Sequence, residues 1–470
     1  MSATATTEKK YLKWYQKLAY GSGDLASNCS YGLVSSFVLL YLTGTLGLDS
    51  AIIGSLMLAS KVLDGISDVI FGTLIDRTHS KLGKARPWML FGQVGVSLCL
   101  FLLFAIPAGS TTMQYIYFFI VYTALNAVFY TANGIAYSSL VALITKNNNE
   151  RVQLGSFRFM FAVVTNIFMG FAVTGMVEKF GSGAAGWRTT ALIFAIVGLV
   201  VNTISCLAVK ELPEEELSGN TSEAAEEGKA VAEEKKHGFA ETAKILVHNK
   251  YYLMILAIYI VYYIMSNLTT GAGVFCATYY WGDGSLLGQF SMMKMFPVIT
   301  ALAFAPVLIK KTGSMQKVNF WGYAISSVLG IPMIYFAMQK NLSMFLLFMF
   351  IKGVFAGTLS GSLNALIAEA SGYTTRTTGV HMDGMMYSCS SLGVKVGGGI
   401  GTAAVGWLLK LGGFVGTATV QSESAIRMIF NLYITFPFVI GIIITVLLAF
   451  LDVEKANKKW DAEHKKEAQA

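Results

Sequence analysis

Twelve apolar runs, each long enough to cross about 30 Å of hydrocarbon, follow one another along the 470-residue chain. They fall at approximately 18–43, 50–75, 86–106, 114–143, 153–178 and 188–209, and after a gap at 250–281, 285–309, 317–338, 342–369, 378–411 and 425–452. The pattern predicts an all-α membrane protein with twelve transmembrane helices in two six-helix bundles, over 1–210 and 242–455. The gap, 211–241, is rich in Glu, Ala, Lys, Ser and Gly and has almost no large apolar residue. It cannot bury a core, so it reads as a flexible cytoplasmic linker, with 456–470 as a cytoplasmic tail.

The short loops set the orientation. Arg77, Lys81, Lys84 and Arg86 follow span two, Lys146 and Arg151 follow span four, Lys310, Lys311 and Lys317 follow span eight, and Arg376 follows span ten. The alternate loops, around 44–49, 107–112 and 282–284, hold no Lys or Arg. The positive-inside rule then places both termini and the linker in the cytoplasm. Basic, Gly-containing loops after spans two and eight also form a weak internal repeat, of the kind that places a binding site near the midplane between two halves.

Composition agrees with this picture. The chain is 54% hydrophobic and 13% charged, with a mean hydropathy of +0.57, which excludes a soluble protein of this length. The net charge of +8 sits largely in short loops, where it sets topology, and so gives no argument for nucleic acid. Cys29, Cys99, Cys206, Cys276 and Cys389 are scattered through apolar runs with no metal-ligand spacing and read as packing residues. The polar, basic start, residues 1–17, has no cleavable signal pattern, so the first apolar run is expected to remain as span one.

The informative residues are the polar ones inside the spans. Asp64 and Asp68, four apart in span two, share one helical face, with Lys61 on the same side. An acid at the centre of a membrane helix costs roughly 2.5–3.5 kcal/mol on insertion scales. That face therefore meets water, an ion or a counter-charge. Two readings fit: an internal salt bridge from Lys61 to Asp64, or a cation site of hard oxygen ligands for a proton or a small monovalent metal ion. In span one Asp24, Asn28 and Tyr31 line one polar and aromatic face, read as facing a water-filled cavity. Span four carries Tyr130, Thr131, Asn133, Tyr137, Ser138 and Ser139, too many polar groups for a lipid face. Arg158, just inside span five, either snorkels or serves function, and Lys395 in span eleven lies deep enough to need an acid across the bundle. Lys294 and Lys352 also fall within spans, Lys294 towards the outer surface.

No nucleophile–His–acid set, phosphate loop or metal cluster is apparent, and no cofactor or enzymatic activity is expected. A secondary transporter and a channel or non-transporting sensor both remain open. Two unlike halves with a central acid pair favour alternating access over a pore.

Taken together, these residues resemble the glycoside–pentoside–hexuronide:cation symporters of the major facilitator superfamily, the group that includes melibiose permease. The resemblance covers about residues 15–455. It is carried by Tyr20-Gly-x-Gly-Asp24, Lys61-x-x-Asp64-x-x-x-Asp68, Gly83-Lys84-x-Arg86-Pro87-Trp88, Ser139-Leu140-Val141, Gln153-Leu154 with Arg158, Tyr387-Ser388, and Lys395 before a glycine run. It implies a plasma-membrane symporter, active as a monomer, that moves a sugar or glycoside with Na+ or H+. Carried over by position, the cation site is Asp64 and Asp68, with Ser67 and Thr131 as oxygen donors, and Na+, if it is the coupling ion, sits on the two acids. Arg158 and Lys395 match the family's sugar site, and Asp24, Asn28, Tyr31, Asn133 and Tyr137 complete the expected substrate set. Two family aspartates are replaced here by Asn28 and Gly134, a stacking tryptophan by Ser138, and an Arg-x-Glu pattern by His381-Met382-Asp383. With two acids gone and two cations kept, a hexuronide or glucuronide stands beside a neutral glycoside as the expected solute. A lipid-like solute is the remaining alternative on the same fold.

Overall fold

The structure is a computed structural model that describes residues 9–213, 246–379, 383–418 and 420–467. Within the first stretch lie α1 (Trp14–Thr45), α2 (Ser50–Asp76), α3 (Arg86–Leu103), α4 (Thr111–Ile144), α5 (Asn148–Lys179) and α6 (Gly183–Leu207). After the linker come α7 (Lys250–Tyr280), α8 (Leu286–Thr312), α9 (Met315–Met338), α10 (Leu342–Thr378) and α11 (Asp383–Leu411). Glu423–Phe430, Asn431–Thr435 and Phe436–Phe450 run on as α12, and α13 (Val453–Glu467) comes last. Eleven of the helical segments are long and apolar enough to span a membrane; α2, with 27 residues and three charges at its middle, brings the long helices among the described residues to twelve.

Short polar side chains start the helices by accepting from the first free amides. Asp49 accepts from Ala51 N (2.9 Å) at α2, Asn147 from Glu150 N (3.1 Å) at α5, and Asn249 from Tyr251 N (3.0 Å) at α7. The tenth span ends later than its apolar run suggests. Arg376 and the threonines around it stay helical, and the helix stops only where Gly379 adopts φ 70°, so α11 begins at Asp383 rather than near 378. Four spans contain π-helical turns, at Tyr41–Thr45, Ala124–Tyr130, Cys276–Tyr280 and Asn431–Thr435.

The chain divides into two compact units, Met1–Gly228 with Val415–Val420, and Lys229–Phe414 with Gln421–Ala470. In the first, α1 packs on α5 and α6, and α3 on α4 and α6. In the second, the closest pairs are α7 with α11 and α10 with α8 and α9. Gly393, Gly397 and Gly401, on one face of α11, lie against Tyr259 and the carbonyls of Ile260 and Ile264, where a β-carbon would overlap. Small residues at this period let two membrane helices approach backbone to backbone.

The ends of both units are tied down by carboxylates. Glu211, at the head of the expected linker, accepts from Lys84 N (2.7 Å), Ala85 N (3.0 Å) and Arg86 N (3.0 Å), and Leu212 N donates to Leu143 O (2.8 Å). The linker's remainder, 214–241, lies outside the described residues. Most of the polar tail, 456–470, belongs to α13, which docks on α10 through Asn457–Glu369 (2.8 Å) and Arg376–Asp461 (3.6 Å).

Candidate cation and substrate site

The acid pair of α2 opens into a cavity of about 520 Å³ within the first unit, lined by Lys61, Asp64 and Asp68 together with Asn126, Tyr130, Thr131, Gly134, Ile135, Ser138 and Ser139 of α4. Each oxygen of Asp64 has its own partner. Thr131 Oγ1 donates to Oδ1 at 2.7 Å, and Lys61 Nζ lies 3.6 Å from Oδ2. The Lys61–Asp64 contact of the first reading is present, and the acid still faces an open cavity.

Thr131 Oγ1 also lies 2.9 Å from Asn126 O, so its single proton has two acceptors. A proton turned towards Asn126 leaves hydroxyl lone pairs beside Asp64, the arrangement a hard cation needs. Asn126 belongs to the π-helical turn immediately before Thr131, and such turns inside α-helices recur at functional positions. Asp68 reaches the same cavity one turn along. Ser67 does not line it: its hydroxyl donates to Asp64 O at 2.9 Å, within its own helix. Two carboxylates, one of them beside Lys61, and a hydroxyl present oxygen donors to this cavity.

A second cluster joins α1, α4 and α5. Arg158 Nε lies 2.5 Å from Asp24 Oδ2, and its guanidinium covers the Tyr137 ring at 4.2 Å. Tyr137 OH donates to Tyr20 O (2.8 Å), and Tyr20 OH donates to Tyr137 O (2.5 Å), a reciprocal clasp between α1 and α4. Arg158 thus neither snorkels nor stands alone; it neutralises Asp24. Asn28 donates to Asp24 O (2.7 Å) and accepts from Asn166 Nδ2 (2.9 Å). Tyr31 stacks on Tyr130 at 5.7 Å, which places an aromatic face of α1 beside the cavity wall.

Of the expected substrate set, Asp24, Asn28, Tyr31 and Arg158 remain partly open, whereas Asn133 and Tyr137 are buried. Asn133 turns towards α3 and donates to Gln93 Oε1 (3.2 Å), an interhelical contact. Lys395 is partly buried on α11 in the second unit. Asn126 and Asn166 complete the two clusters although sequence reasoning passed over them. Their signal was available: each is an amide inside an apolar run, and buried amides seek partners.

Membrane-length helices in two compact units, with acid–base pairs held deep among them, define a secondary transporter of the major facilitator fold. Residues 19–455 match the family described as MFS/sugar transport protein, and the chain belongs to that family, as the resemblance to the glycoside–pentoside–hexuronide:cation symporters implied. An uncharacterized symporter, YnaJ, of Bacillus subtilis (strain 168) is 25% identical over 452 residues, 95% of this chain and 92% of that protein. The isoprimeverose transporter of Lactiplantibacillus pentosus is 26% identical over 459 residues, 97% and 92% of the two chains. Among solved structures, a D-xylose-proton symporter superposes with a TM-score of 0.64 at 12% identity, over 94% of this chain and 98% of that one, a likeness of fold.

Proposed function

We propose that the protein takes up a sugar or glycoside together with a monovalent cation, Na+ or H+, which binds at Asp64 and Asp68 with Thr131. It works by alternating access in the plasma membrane, as a monomer with both termini in the cytoplasm. One observation carries the reading: Asp64 is held by Thr131 on one oxygen and by Lys61 on the other, at the edge of a cavity large enough for a sugar. An arriving cation competes with Lys61 for the same carboxylate, which links ion entry to a rearrangement of the cavity wall. The stacked pair Tyr31–Tyr130 and the hydroxyls of Ser138 and Ser139 favour a hydroxyl-rich solute over a lipid-like one. The isoprimeverose transporter's similarity supports a glycoside. Uptake into proteoliposomes, with a panel of glycosides under imposed Na+ or H+ gradients, tests the proposal and names the ion. Accumulation that ignores both gradients would overturn the coupling.

A further inference from the structure

Two intramembrane lysines of the second unit differ from Lys61 and Arg158 of the first. In the first, Lys61 lies beside Asp64 and Arg158 beside Asp24. In the second, Lys294 on α8 and Lys352 on α10 have no carboxylate within ion-pair distance among the described residues. Between residues 250 and 450 the acids are Asp283, Glu369, Asp383 and Glu423. Asp283 lies in the loop before α8, Glu369 reaches Asn457 near the far end of α10, and Asp383 and Glu423 begin α11 and α12.

The two lysines lie at one level. At about 1.5 Å per residue, Lys294 is about 12 Å below the start of α8 and Lys352 about 15 Å below the start of α10. The helices run in the same direction and touch at this depth, where Gly353 abuts Pro297 and the Met293 carbonyl, and Gly357 abuts Ala301. Lys294 turns inward to α7, donating to Thr270 Oγ1 at 2.9 Å, rather than out to the membrane surface. Both lysines are partly exposed, and an ammonium this far from the helix start needs polar partners that lipid cannot supply.

We propose that Lys294, positioned by Thr270, and Lys352 form an oxyanion site, which receives a carboxylate or sulfonate carried by the sugar that the symporter moves. This rests on the sugar-symport reading and refines its substrate. Two ammonium groups without acids supply the counter-charge that an acidic solute would otherwise lack in an apolar setting, and each offers donors to its oxygens. Arg158 cannot do this while Asp24 occupies it.

The test uses the full-length protein in detergent and in proteoliposomes. Binding of D-glucuronate, a hexose sulfonate and a neutral methyl glucoside is read by ligand-induced thermal stabilisation. Wild type is expected to bind at least one acidic sugar more tightly than the neutral one. Lys294→Met and Lys352→Met are expected to lose about tenfold to a hundredfold in acid binding, the worth of a charge-assisted hydrogen bond. They keep or raise the unfolding temperature without ligand, because each removes an uncompensated charge, and Lys294→Arg retains the preference. Equal binding of acidic and neutral sugars by wild type, or an unchanged ratio in both Met variants, would overturn the site. Gradient-driven uptake is scored separately: its absence for every sugar counts against symport, while the binding ratio still decides the oxyanion site.

Discussion

Glu211 and Glu454 occupy equivalent places in the two units. Each lies four residues beyond its unit's last membrane helix, α6 ending at Leu207 and α12 at Phe450. Each carboxylate caps the third helix of its own unit: Glu211 accepts from the amides at the head of α3, and Glu454 from Met315 N (2.9 Å) and Gln316 N (3.0 Å) at the head of α9, as well as from Ser314 Oγ. A negative charge at a helix N-terminus satisfies orphan amides and complements the helix dipole. Glu211→Ala and Glu454→Ala should therefore destabilise by similar amounts, about 1–2 kcal/mol each. Thermal unfolding of the purified variants checks this; a loss at one position and none at the other would break the equivalence.

Asp64→Asn and Asp68→Asn should abolish gradient-driven accumulation while weakening sugar binding far less. Thr131→Ser keeps the hydroxyl and should retain coupling. Thr131→Val removes it and should raise the cation concentration for half-maximal uptake by about tenfold, the scale of one hydrogen bond to a charged group. Uptake measured against cation concentration distinguishes these three outcomes: abolished, retained and weakened.

Asp24→Asn strands Arg158. Loss of one partner from a buried pair costs roughly 3–5 kcal/mol, and the partial opening of this pair places the effect at the lower end. Adding Arg158→Gln should recover part of the loss, with a coupling of about 1 kcal/mol or more in a double-mutant cycle. Because the guanidinium is already matched, Arg158→Ala should impair a glucoside and its glucuronide equally. A selective loss of the glucuronide would assign the carboxylate to Arg158 instead.

Gly134 lines the cavity, and a β-carbon there meets nothing within 4 Å. Gly134→Ala should fold and transport normally. Gly134→Phe should fold as well and yet block uptake by filling the cavity, a difference seen by comparing unfolding temperature with transport rate.

The twelve helices were legible because the bilayer demands a minimum apolar length, and that demand is local in sequence. The α2 face was legible too, since Lys61, Asp64 and Asp68 are related by helical spacing alone. The pairing of Asp24 with Arg158 crosses 134 residues, and no periodicity carries it. In α4 the orientation of individual side chains was hidden for a different reason. Polar groups occur nearly all round that helix, and the π-helical turn at Ala124–Tyr130 shifts the register of the residues beyond it. Beyond that turn Thr131 meets Asp64, while Asn133, two residues and so about 200° further round the helix, meets Gln93. Glu211 was hidden by its neighbours: it opens a stretch whose composition describes a linker, yet its own carboxylate belongs to the bundle.

Lys61 and Asp64 sit three residues apart on one rigid turn, so their contact re-forms without any search by the chain. At the proposed cation site, an ion arriving at Asp64 would therefore face a rival that is never diluted, whatever the composition of the medium. Such a tethered rival would act as a built-in reference concentration, and the ion would gain the carboxylate only when its own supply exceeded that reference. Lengthening, shortening or redirecting this one side chain would then reset the working range of the symporter for its driving ion, without altering a single atom that the ion touches.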